Sequence, residues 1–123
     1  MTVPAPTVGR FVQVNIAARG QPSVWRPALV VQDWPSEFLS HPACTVGLNV
    51  QVFLDGFNDA HVLRTGLAAS YAGSEVPHQE LERIDEHCRR GLRWETSLPH
   101  EALLGLQPEY RGMVWRWPPR EGA

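Results

Sequence analysis

The stretch Val46-Gly47-Leu48-Asn49-Val50-Gln51-Val52-Phe53-Leu54 decides the fold class. Val46, Leu48, Val50, Val52 and Leu54 recur at every second position, with Asn49 and Gln51 between them. In a strand, successive side chains point to opposite sides, so this spacing gathers the aliphatic residues on one face and the amides on the other. The next five residues, Asp55-Gly56-Phe57-Asn58-Asp59, end the strand with turn chemistry. Asp and Asn bond their own backbone, and Gly tolerates positive φ. The same oxygens superficially fit a calcium loop, but the twelve-residue spacing and its terminal Glu are missing, so the turn reading is preferred.

Working outward, Val8, Val12, Val14 and Ile16 share one face of a strand over 9–16, with Arg10 as the interruption and Gln13 and Asn15 opposite. A turn at 19–23 leads to a second strand over 26–33, centred on Ala28-Leu29-Val30-Val31. Pro27 cannot donate to a ladder, which sets the start of this strand at an edge or bulge. An irregular loop follows over 35–42. Beyond the 55–59 turn, a weaker extended segment is expected over 61–65 and a small, flexible stretch over 66–74. The predicted buried set is Val12, Val14, Leu29, Val31, Val50 and Val52.

A helix is predicted over 77–90. Pro77 suits its first position, Glu80 and Glu82 its positive end, Arg89 and Arg90 its negative end, and Gly91 its stop. Leu81, Ile84 and Cys88 form a narrow apolar stripe on it. Leu92, Trp94, Thr96 and Leu98 then alternate as a strand. Residues 99–112 read as loop with a helical turn near 101–104, and 113–117 as a last strand closed by Pro118-Pro119. Short strands with one inserted helix near 77–90 predict a mainly β fold, a small SH3-like barrel or compact antiparallel sheet. The organisation read is a flexible arm over 1–7, one domain over 8–118 and a tail over 119–123.

The chain of 123 residues is 43% hydrophobic and 20% charged, with a net charge of −2. Those are globular values, and they argue against nucleic acid or an anionic membrane as partner. No signal peptide or membrane span is read, so the expected location is the host cytoplasm, with reduced thiols at Cys44 and Cys88. All eleven basic residues are arginine. This bias fits a GC-rich genome, and it also suits bidentate interface contacts.

Four ordered segments resemble a family of small tailed-phage and prophage proteins. They are Arg26-Pro27-Ala28-Leu29-Val30-Val31, Leu48-Asn49-Val50-Gln51-Val52-Phe53-Leu54-Asp55-Gly56-Phe57-Asn58-Asp59, Trp94-Glu95-Thr96-Ser97-Leu98-Pro99 and Gly112-Met113-Val114-Trp115-Arg116-Trp117-Pro118. The likeness covers 9–59 and 92–118. Arg116 replaces the family's histidine, and the segment near 74–91 looks like an insertion. The resemblance implies phage origin and a small β domain, and it carries no activity with it. A fainter likeness is to MazF-type toxin ribonucleases, whose opening strand Gly9 and Arg26-Pro27 resemble. It would make Arg26 catalytic, but the threonine expected on the next strand is absent from 46–54.

Candidate chemistry is sparse. His41, Cys44, His87 and Cys88 are soft ligands with poor spacing for zinc, and Ser97, His100 and Glu101 lack the surroundings of a nucleophile. Neither metal nor cofactor is therefore expected. Of the five tryptophans, Trp25 and Trp34 bracket the second strand, Trp94 lies on a later one, and Trp115 and Trp117 share a face of the last. Tyr110, Arg111, Trp115, Arg116, Trp117 and Arg120 form the predicted partner-binding segment, because aromatics and Arg dominate binding hot spots. The expected function is a non-enzymatic interaction module binding a protein partner, with homo-oligomers allowed. Its first assignment is a small virion component such as a capsid decoration, adaptor or connector-type subunit. A host-takeover or anti-defence binder is the alternative, and a degenerate MazF-type ribonuclease the second.

Overall fold

A computed structural model describes residues 6–35 and 46–119. Five strands, β1 (Phe11–Asn15), β2 (Trp25–Pro35), β3 (Val46–Phe53), β4 (Leu92–Leu98) and β5 (Val114–Arg116), pair antiparallel in the order β4-β3-β2-β1-β5. The sheet curls into a half-barrel whose two edges are β4 and β5. Helices α1 (Asp59–Ser70) and α2 (His78–Arg90) pack on its inner face, and a short α3 (Leu103–Leu106) precedes β5. The architecture is thus mainly β, as the strand periodicity predicts.

The core follows the register. Val12 pairs with Ala28 and Ala28 with Val52, while Val30 pairs with Val50. Directly opposed residues share a face, so one row of aliphatics crosses the sheet beneath Leu63 of α1 and Ile84 and Cys88 of α2. Each fully buried Val or Leu contributes about 1.5–3 kcal/mol of transfer free energy.

That register corrects the expected burial of Leu29 and Val31. Ala28 and Val30 are the inward residues, Leu29 is half-buried, and Val31 is exposed. The run 28–31 is apolar at every position and has no parity of its own, so Val12 and Val52 decide which half turns inward. A register shift between Val30 and Gln32 then leaves Val31 as the extra residue of a bulge. Pro27 lies one residue before β2–β3 pairing begins at Ala28.

A second correction concerns residues 61–65. They are not extended; they belong to α1, which also takes in 66–70 of the stretch expected to be flexible. Leu63 is buried, with Ala60, Val62 and Leu67 packed against the same core, a helical spacing. Helix α2 matches the predicted 77–90 closely. Pro77 is its N-cap rather than its first helical residue, and Gly91 ends it at φ 72°. On β4, Leu92 and Trp94 face outward, whereas Arg93 and Glu95 face the helices and are ion-paired to each other. β1 begins at Phe11, and Val8 stands exposed outside it. No helix among the described residues is long and apolar enough to cross a membrane.

Candidate functional site

The motif residues that carry the phage resemblance meet in space. Asp59 has no exposed surface, and its carboxylate accepts bonds from Arg26 Nε at 2.8 Å and Arg26 Nη2 at 2.7 Å. It also accepts the Asp55 N–H at 2.7 Å. Bidentate geometry plus a backbone donor is what allows an ion pair to survive burial. The Asp59 hydrogen bonds raise the Arg26 pKa further above its ordinary value. Asp55 accepts the Phe57 N–H and the Asn58 amide, chiefly the latter, which holds its carboxyl below the usual range. Gly56 completes the turn: a Cβ there would lie 2.3 Å from the Cys88 carbonyl oxygen at the end of α2. The Arg26 guanidinium, on which the ribonuclease likeness depends, is thus engaged with Asp59. Sequence reading singled out these residues separately and gave no sign that Arg26 and Asp59 pair.

The predicted partner-binding segment divides by depth. Trp115 is 1% exposed, with His100 edge-on at 4.7 Å and Trp117 at 6.0 Å. Its ring therefore contributes packing rather than a surface contact. Burial lowers the His100 pKa, and its Nδ1 accepts the Ala102 N–H, so it is not poised as a base for Ser97. Tyr110 is half-buried and donates its hydroxyl to the Met113 carbonyl. Arg111 is exposed at the mouth of a cleft beside α1 and α2. Arg116 turns to the opposite side of the sheet, stacking 3.8 Å over the Trp25 ring while its Nε donates to Gln13. Arg120, His41 and Cys44 lie outside the described residues. Cys88 is buried, and burial pushes its thiol pKa up, which keeps it unreactive. Among the described residues no three His, Cys, Asp or Glu side chains group as a metal site.

Arg116 borders an apolar surface on the outer face of the sheet. Phe11 pairs with Leu29, Leu29 with Gln51, and Gln51 with Trp94, forming one outward row across four strands. Phe11 is 52% exposed and Trp94 45% exposed. Phe53 lies beside the row, 6.0 Å from the Phe11 ring, and pairs with the exposed Leu92. Beyond the bulge, Trp34 is also exposed. An aromatic residue presents roughly 150–250 Å² when fully accessible, so these half-exposed side chains make a patch on the order of 500 Å². That is within the range of the largest apolar patch on a typical monomer, which is often functional. The polar residues among them, Gln13, Gln32, Asn49 and Gln51, are uncharged. No periodicity within one strand reveals this face, since its aromatics come from four strands and meet only through the register.

Fold and surface together define an antiparallel half-barrel with two helices inside it and an aromatic outer face. The chain matches no family model, no curated protein and no solved structure.

Proposed function

We propose that the protein is a non-enzymatic interaction module that serves as a small phage virion component, docking through the outer face of its sheet. The observation that carries this reading is the outward row from Phe11 to Trp94, an apolar surface wide enough to be the hot-spot centre of an interface. Its uncharged centre selects the occupant: a weakly charged, apolar face of another virion subunit, because a charged partner would lose hydration there without gaining a counter-ion. The Arg116–Trp25 stack supplies a bidentate donor at the rim. The phage assignment rests on the four motif segments, and the non-enzymatic one is supported by the engagement of Arg26 with Asp59.

The test is quantitative mass spectrometry of purified virions carrying either the wild-type chain or Phe11→Ser/Trp94→Glu. The wild type is expected at fixed copy number, and the variant at least about tenfold depleted with an unchanged melting temperature. Absence of the wild type from virions overturns the virion role in favour of a host-takeover binder. Equal incorporation of both chains overturns the outer face as the docking surface. A wild type that sediments as a dimer dissociated by the double substitution would make a second copy the occupant instead.

A further inference from the structure

The inner face holds a second feature that the docking surface does not use. Where α1 and α2 diverge over the edge of the sheet they leave a cleft of about 340 Å³, within the range of small-molecule sites. One wall is aliphatic, from Leu63, Leu67 and Met113. The other is polar, from Arg83, His87, Arg93, Glu95 and Arg111. Such an arrangement of an apolar body and a few convergent polar groups is how ligand pockets are built.

Three details define what the cleft would accept. His87 Nδ1 is buried with no hydrogen-bond partner among the described residues. Arg111 has no ion pair among the described residues, and Arg83 reaches Glu80 only at 3.4 Å. Arg93 is neutralised by Glu95. Three arginines against Glu80 and Glu95 leave one uncompensated positive charge. Desolvation and then the neighbouring Arg93 lower the His87 pKa, so the imidazole stays neutral and adds no charge. A neutral imidazole can carry its proton on Nδ1 and donate it to an oxygen.

We propose that this cleft binds a small amphiphilic carboxylate, its apolar body against Leu63, Leu67 and Met113 and its carboxylate on Arg111 and Arg83. The size of the cleft limits the ligand to one or two rings or a single short alkyl chain, and the charge balance selects a monoanion.

The experiment follows backbone amide resonances of the intact chain while phenylacetate, octanoate and indole-3-acetate are titrated, with phenylacetamide as the uncharged control. At least one carboxylate should give saturable shifts at Gly66, His87 and Gly112 with a Kd below about 1 mM, and the amide should bind at least about tenfold more weakly. Arg111→Gln alters an exposed side chain, so its fold is retained, and it should weaken the carboxylate by about tenfold. Shifts that stay linear to roughly 10 mM for all three acids, equal binding of phenylacetamide, or unchanged affinity in Arg111→Gln each overturn the proposal.

Discussion

On the inner face of the sheet Val14, Ala28, Val30, Val50 and Val52 are closed off from water, and two ion pairs enter this side, Arg26 with Asp59 and Arg93 with Glu95. One residue further along the strands, Phe11, Val31, Phe53 and Trp94 stand in solvent with uncharged amides between them. The two faces share a backbone and a ladder, so hydrogen bonding does not distinguish them; cover does. α1 and α2 cover the inner face, where an unmatched polar group is costly. No described helix or strand packs over the outer face, and about half of the surface of Phe11 and Trp94 stays in water. The contrast separates residues that specify the fold from residues retained for another reason.

Breaking the Arg26–Asp59 pair gives the largest effect. Asp59→Ala leaves the partly exposed Arg26 guanidinium and the Asp55 N–H without their acceptor, and should cost about 2–4 kcal/mol in chemical denaturation. A loss below about 1 kcal/mol would mean that Arg26 swings out to water, and that charge on the inner face needs no partner. A sharper comparison uses adjacent residues. Val30→Ala should cost about 1–3 kcal/mol, whereas Val31→Ala, a chemically identical change across the bulge, should stay within about 0.5 kcal/mol. Equal losses would show that the outer face is covered after all. The smallest effect concerns pH. Burial depresses the folded-state pKa of His100, so the unfolded chain binds the proton more readily. Its contribution to stability is complete above the unfolded value of about 6.5 and is lost as pH falls through the lower folded value. The melting temperature should therefore decline between about pH 6.5 and 5, and His100→Gln should flatten part of that slope. An unchanged slope would assign the acid sensitivity to other groups.

How far the sequence reveals this molecule depends on where each signal lies. β3 is legible because its alternation is unbroken from Leu48 to Leu54, and α2 because caps, charges and stripe agree. The run 28–31 has no parity, and only the neighbouring strands assign one. α1 is hidden for the opposite reason. Val62, Thr65 and Gly66 are poor helix formers, and burial of Leu63 and Asp59 overrides their local preference. The candidate site is legible only in part. Arg116 and Arg111 stand out as single residues, but the aromatic face is assembled from four strands, and the cleft from two helices, a sheet edge and the 111–113 segment. Neither exists until the register is known.

The two edges of the sheet set what kind of assembly an exposed aromatic face can build. β4 carries Arg93 and Glu95 pointing inward, and β5 is three residues long before Pro118-Pro119. Inward charge, brevity and proline are devices that keep a strand edge from recruiting a foreign strand. Fibril-like growth by strand addition is therefore blocked at both ends of the ladder. An apolar outer face can therefore be carried without the strand edges beside it recruiting further strands.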